Sequence, residues 1–400
     1  MHLAPPHPWT ATADGARHRA YAALAARGPV QQVPLPGGAS GWLVTSDDAA
    51  RAALMHPGLS KGGPERAPFA DELPPGIAAA INHHMLAMDP PDHTRLRKLV
   101  AAAFTRRRTE ALAPGVQQLA DDLLDRLAEQ DEADLITAFA YPLPIAVICR
   151  LLGVPDTDHH LFREWTGPLV VGGNMAGVEA YAAAATALVA YVRELLAEKR
   201  RRPADDLLSA LVAVRDGGDR LTEDELTSMV YLLLLAGHET TVNLIGNAVL
   251  ALLTHPGRLA LLRAEPERLP AAVEELLRFD GPLQSAIPTI TTEPVEIAGT
   301  RIPAGANVVV ALLAANRDPD RHARPDELDL SRTEVLGHLA FGHGVHHCLG
   351  APLARLEGRI ALGSLIARFP RLRLAVPAAE ITRTPGFMMN GLAELPVRLR

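Results

Sequence analysis

The chain has 400 residues, 48% of them hydrophobic, which is ample for a large core and far from the composition of a disordered segment. Its net charge of −7 and its dispersed arginines, with only Lys61, Lys98 and Lys199 as lysine, argue against nucleic acid as the main partner. Two cysteines, Cys149 and Cys348, lie 199 positions apart and neither belongs to a Cys-x-x-Cys pair, so they form no disulfide framework. The first residues lack the charged lead and apolar core of a secretory signal. Apolar runs such as 229–237 also fall short of the roughly 20 residues that span a bilayer. The expectation is a cytoplasmic, monomeric protein without a membrane anchor.

In chain order, the pattern predicts a helix over 14–27, short strands over 30–36 and 41–45, and a helix over 46–55. Residues 57–80 are rich in Pro and Gly without a sustained period and read as a mobile loop. From residue 92 helical patterns dominate: 92–104, 110–130, 134–152, 158–168, 176–202, 204–216, 223–254, 256–264, 267–279 and 352–368. Strand signals are confined to 287–291, 295–297, 308–311 and 395–399. No internal repeat or low-complexity linker divides the chain. The expectation is therefore one mainly α domain over 1–400 with a minor β region. Cys149, inside Pro-Ile-Ala-Val-Ile-Cys-Arg, is expected to be core packing.

The segment 223–254 carries the clearest signal. Thr222-Glu-Asp-Glu225 is a capping box, and His255-Pro256 supplies the stop. At 1.5 Å per residue such a helix is about 48 Å long. Residues 229–236 are apolar on every side, so the middle of the helix belongs inside the core. Ala236-Gly-His-Glu-Thr-Thr241 then interrupts with poor helix formers. It reads either as a helix emerging at the surface or as a local distortion opening a groove, with Glu239 and Thr240 aimed into it. His238-Glu239 begins like the His-Glu-x-x-His metalloprotease motif, but Val242 occupies the second ligand position.

The second signal is Phe341-Gly-His-Gly-Val-His-His-Cys-Leu-Gly350, followed by a helix with Pro352 in its first turn. Glycines there permit close approach of main-chain N–H groups to the Cys348 sulfur. A helix N-terminus also lowers a thiol pKa, favouring a thiolate that serves as metal ligand or nucleophile. A zinc site built from His338, His343, His346, His347 and Cys348 is the rival, but the spacings match no familiar zinc frame.

Phe-Gly-x-Gly-x-His-x-Cys-x-Gly resembles the haem-binding signature of the cytochrome P-450 family at every fixed position, and Ala236–Thr241 resembles that family's oxygen-activation motif. The resemblance implies the P-450 fold, with haem b between the long central helix and the cysteine loop. It makes Cys348 the iron ligand, a thiolate whose electron donation favours O–O cleavage. Phe341, Gly342, Ala236 and Gly237 would border the haem; Thr240 would hydrogen-bond dioxygen during its activation, and Glu239 would relay protons. Glu275 and Arg278 resemble the family's structural Glu-x-x-Arg pair, which anchors the meander at 315–332. Within that meander, His322, Glu327 and Leu328 stand where relatives often have Phe, Arg and Phe.

By the same resemblance, His93, Arg97 and His346 bind haem propionates, a task suited to cationic donors. Thr289 falls where relatives usually carry a propionate-binding arginine, which implies weaker haem retention. Electrons would come from a ferredoxin and an NAD(P)H-dependent ferredoxin reductase, the former docking on Arg106, Arg107, Arg108, Arg355 and Arg359. The implied activity is monooxygenation of a large, mostly apolar small molecule of the macrolide or polyketide kind. Family placement gives a pocket lined by Leu73, Ile77, Met85, Leu86, Leu169, Val170, Leu233, Ala236, Leu283, Ile287, Met388 and Met389, aliphatic and poor in aromatics. The alternatives are a peroxide-driven enzyme or a non-oxidising haem-thiolate docking module.

Overall fold

The helix Glu223–Thr254 forms as the sequence predicts, 32 residues without interruption. Its capping box closes in both directions: Glu225 N–H donates to Thr222 Oγ1 (3.1 Å), and Thr222 N–H donates to Glu225 Oε2 (2.8 Å). Met229, Val230 and Leu234 are fully buried, with Leu232 and Leu233 nearly so. Its apolar length would suffice to cross a membrane, as would that of Val178–Arg201. However, 72% of its apolar window is buried inside the protein, which makes it a core helix.

The computed structural model describes residues 7–63, 72–74, 76–101, 104–155, 158–171, 177–216, 221–332 and 337–400. Chain contacts gather in two compact units, one of residues 1–59, 110–143 and 240–400, the other of 60–109 and 144–239.

The first unit holds the β structure. Val30–Pro34 pairs antiparallel with Ser40–Val44, which runs parallel to Asn307–Val310; Thr289–Thr291 pairs antiparallel with the latter, and Leu59–Ser60 closes the sheet edge. Val44, Val308, Val310 and Ile302 bury one apolar cluster against this sheet, while Leu43, Val309, Trp9 and Tyr21 bury another. The alternation along each strand sends neighbouring residues to opposite faces. A three-stranded sheet places Pro396–Arg398 between Glu132–Asp134 and Arg373–Leu374. The helices Ala113–Leu127 and Leu269–Asp280 pack against Ala351–Arg368.

The second unit is helical. Val178–Arg201 packs on His159–Val171, Leu207–Asp216 and Ile77–Asn82. Phe162, Trp165 and Tyr191 stack edge-on or tilted, with ring centroids 5.4–5.7 Å apart, and the Tyr191 hydroxyl donates to Asp158 Oδ2 at 2.7 Å.

Several boundaries differ from expectation. The helix expected over 110–130 is two, Arg106–Ala111 and Ala113–Leu127, because Pro114 opens the second. The helix expected over 134–152 begins as a π-helical turn, Ile136–Ala140, before Pro142–Leu152. Of the loop expected at 57–80, residues 64–71 and 75 lie outside the described residues; the remainder contains a strand at Leu59–Ser60 and the start of Ile77–Asn82. Ile77, Ala80 and Ile81 all face inward there, a helical spacing hidden by the Pro- and Gly-rich flank. Cys149 is fully buried, as its surroundings predicted.

Candidate active site

In the first unit the cysteine loop is drawn tight by main-chain hydrogen bonds: Cys348 N–H donates to the Phe341 carbonyl (2.9 Å), Gly342 N–H to Leu339 (2.8 Å) and His347 N–H to Gly344 (3.1 Å). Gly342 and Gly344 take φ of 71° and 72°, a region that penalises any Cβ. At Gly344 a Cβ would also come within 2.9 Å of the Leu54 carbonyl and 3.1 Å of Met55, so the loop lies directly on the helix Asp47–Met55. Cys348 itself is exposed, two residues before Gly350 caps the helix Ala351–Arg368. The cysteine is therefore accessible on a loop held by main-chain hydrogen bonds, just ahead of a helix N-terminus.

The Glu275–Arg278 pair, weak as a sequence signal, is a buried junction. Arg278 is fully buried and forks onto Glu275 at 2.7 and 2.8 Å. Its remaining donors reach the carbonyls of Asn316 (3.0 Å), Pro325 (2.8 Å) and Glu327 (3.1 Å). Glu275 also accepts from the Asp329 N–H (2.9 Å) and from Arg332 Nε (3.2 Å). Arg332 is thus the third member, 57 residues along the chain and not legible in advance. Asn316 passes the order on, its Oδ1 accepting the Leu339 N–H (2.6 Å) at the root of the cysteine loop.

The neighbouring Glu274 faces that root. Arg355 donates to it at 2.7 and 2.8 Å, and His338 Nε2 lies 3.2 Å from Oε2. Burial alone would raise its carboxyl, but hydrogen bonds from His338 and Arg355 outweigh this and hold its pKa at about 2. The Arg355 guanidinium also stacks 4.5 Å from the centroid of the Phe341 ring. His338 is therefore committed to Glu274 and buried. Among the described residues no group of three or more His, Cys, Asp or Glu gathers as a metal cluster, so the rival zinc set does not assemble. Glu357, nine positions after Cys348, is 1% exposed, and burial pushes its carboxyl well above the ordinary range.

The central helix supplies the other feature. No distortion interrupts it at 236–241; the backbone stays helical, because its main-chain ladder tolerates isolated Gly and Thr when tertiary packing holds the flanks. The expected opening arises from exposure instead. Ala236 is exposed and Gly237, Glu239 and Thr240 are half-buried, between fully buried turns on either side. Gly237 is required by packing, since a Cβ would fall 2.7 Å from Ile148 Cγ1. His238 points into the core, its ring bonded to the Leu234 carbonyl one turn back (2.7 Å).

In the second unit, His93 and Arg97 share one face of Asp92–Ala101. His93 is 2% exposed, so it is no solvated first-turn residue; burial, then Arg97, lowers its pKa. Met85, Leu169 and Leu233 are buried and Leu86 half-buried, while the Val170 side chain lies outside the described residues. In the first unit Leu283 bridges Met389, Gln284 N–H donates to the Met388 carbonyl (2.8 Å), and Ile287 is half-buried nearby in sequence.

The sequence of the chain over residues 177–390 matches the family model described as Cytochrome P450. The monooxygenase PikC of Streptomyces venezuelae is 48% identical over 383 residues, 95% of this chain and 90% of the relative. The chain belongs to the cytochrome P450 family. A further relative, the 6-deoxyerythronolide B hydroxylase of Saccharopolyspora erythraea, is 42% identical over 390 residues, 96% of each chain. The solved structure of the tirandamycin C-bound P450 monooxygenase TamI superposes with a TM-score of 0.89 at 46% identity, covering 97% of this chain and 98% of that one.

This P450 is accordingly a monooxygenase with a haem-thiolate iron cofactor and the P450 fold. Bacterial P450s generally take electrons from ferredoxin and reductase partners and bind apolar substrates. The geometry above fits the cofactor: an accessible cysteine on a tied loop, and at Gly342 a Cβ position with nothing within 4 Å among the described residues.

Proposed function

We propose that this P450 hydroxylates or epoxidises a large, mostly apolar polyketide-type metabolite, using haem b bound through Cys348. The observation that carries the reading is the tied cysteine loop, with the Cys348 N–H held by the Phe341 carbonyl and the residue accessible. The haem, when bound, supplies dioxygen activation and insertion of one oxygen atom into the substrate, the other leaving as water after two electrons and two protons arrive. Glu239 relays protons and Thr240 supplies a hydrogen-bonding hydroxyl: a half-buried carboxylate beside a half-buried hydroxyl, between buried turns of the helix. His93, Arg97 and His346 hold the propionates, as cationic or hydrogen-bonding donors to carboxylates. The names of the relatives that act on or bind 6-deoxyerythronolide B and tirandamycin C support the substrate class, as does the apolar character of Met85, Leu86, Leu169 and Leu233 in one unit and of Leu283, Ile287, Met388 and Met389 in the other. An acidic ferredoxin, itself reduced by an NAD(P)H-dependent reductase, docks on the exposed Arg106, Arg107 and Arg108, in a cytoplasmic setting.

The decisive test is the absorption spectrum of the reduced, carbon monoxide-bound protein, with and without Cys348→Ser. A thiolate-type Soret band is expected in the parent and none in the variant. A parent without that band refutes the haem-thiolate assignment to Cys348. A ligand panel then reads the substrate: spectral shifts with macrolactones are expected, and shifts confined to short fatty acids would overturn that part.

A further inference from the structure

The helix Leu269–Asp280 holds the segment leading to the cysteine at two places. Arg278 grips Asn316 and the meander, as described. Glu274, on the same helix, grips the root of the loop itself through two side chains 64 and 81 residues away. The chemistry of that second grip is specific. Ala340 N–H donates to His338 Nδ1 (3.1 Å), so Nε2 carries the ring hydrogen and donates to Glu274 Oε2. Both Glu274 oxygens also receive the planar fork of Arg355. The Glu274 side chain is 7% exposed and Arg355 35%. This geometry leaves the guanidinium flat against Phe341, the residue whose carbonyl ties down the Cys348 N–H.

We propose that Glu274 is a positioning residue for the thiolate: acting through Arg355 and His338, it fixes Phe341 and so holds the Cys348 loop in its ligating shape. The proposal rests on the reading of Cys348 as the iron ligand. Glu274 touches neither cysteine nor cofactor. Its negative charge pins the guanidinium against the ring, and its bond to His338 fixes the chain three residues before Phe341. A plain ion pair would be satisfied by any cation at position 355. This arrangement needs a planar one, because an ammonium cannot both span the two Glu274 oxygens and cover the ring.

The test uses full-length holoenzyme and the rate at which its reduced, carbon monoxide-bound form loses the thiolate-type Soret band for the thiol-type band in mild guanidinium. Glu274→Gln keeps the volume and removes the charge; Arg355→Lys keeps the charge and removes the plane. Both are expected to lose the band about tenfold faster than the parent. Asp280→Asn, which breaks the buried Asp280–Arg383 pair at the end of the same helix, where the side-chain partners His18, Arg383 and Asn390 lie outside the cysteine loop, serves as the comparator. It is expected to lower thermal stability while leaving the conversion rate within about twofold of the parent.

Parent-like conversion in Arg355→Lys, a change at a partly exposed side chain that keeps the charge, overturns the proposal even if Glu274→Gln does not fold. Equally fast conversion in Asp280→Asn also overturns it, by making the band a reporter of general stability. If the parent itself shows no thiolate-type band, the assignment of Cys348 fails and the proposal with it. A parent band that Glu274→Gln leaves unchanged sinks the proposal alone.

Discussion

His322 is 2% exposed, and among the described residues neither of its ring nitrogens has a hydrogen-bond partner. Burial, and then the nearby Arg278, push its pKa down to about 4. A buried polar group left unsatisfied costs about 1–3 kcal/mol. Phe, an aromatic ring with no polar atoms, would not carry that cost. His322→Phe is therefore expected to raise unfolding stability by about 1–2 kcal/mol at neutral pH in a urea titration. The pH dependence has a definite sign. Between pH 6.5 and about 4 the unfolded imidazole binds a proton that the folded one refuses, so stability falls as pH drops through that window, by at most about 1.4 kcal/mol per pH unit. The Phe variant should show a shallower acid limb. An equally steep limb, or lower stability at pH 7, would rule this out.

Thr289 is a second residue-scale case. It sits half-buried on the strand Thr289–Thr291, its hydroxyl donating to the Val308 carbonyl at 3.3 Å. On the family resemblance, which puts this position beside a haem propionate, an arginine here adds a charge-assisted hydrogen bond to that carboxylate. Thr289→Arg is expected to slow haem transfer to an acceptor apoprotein about tenfold, as one such bond would do. An unchanged or faster transfer would count against it.

At the scale of elements, the central helix was the most legible part of the chain because its cap, its apolar run and its stop are all local. The identity of Gly237 was not legible in the same way. Poor helix propensity suggested a distortion there, whereas the helix runs on and the glycine answers to Ile148 across a packed contact. Gly237→Val should overpack that contact and cost about 1–3 kcal/mol, and Ile148→Ala should return part of the loss in the double variant. Additive losses in a thermal-melt cycle would show that the two side chains do not meet. The split at Leu112 and the short helix Ile77–Asn82 were missed for a related reason: proline and glycine announce a boundary but not what lies on either side of it.

At the scale of the molecule, the chain passes between its two units at residues 59–60, 109–110, 143–144 and 239–240. The last crossing lies inside the unbroken helix Glu223–Thr254. We infer from this connectivity that residues 1–400 unfold as one domain, since melting either unit would fray a helix that the other requires. Calorimetry of the holoprotein should then give one transition with matching calorimetric and van't Hoff enthalpies; two resolved transitions would contradict it.

Motifs carried by neighbours in sequence were readable without coordinates: the glycine-spaced cysteine loop, the acid and alcohol at Glu239 and Thr240, the capping box, and the pairing of Glu275 with Arg278. Each depends on residues within about one turn or one loop of one another, where spacing alone dictates geometry. Tertiary structure decided what those motifs lean on. Arg332 completes the Glu275–Arg278 junction from 57 residues away, and Arg355 reaches Glu274 across 81. The sequence holds the Phe341 and the Cys348, but only folding brings a buried carboxylate, a guanidinium and a ring into one stack. Ion pairs formed at such separations leave no period and no spacing to read, because the chain between them is free to take many paths and packing selects one.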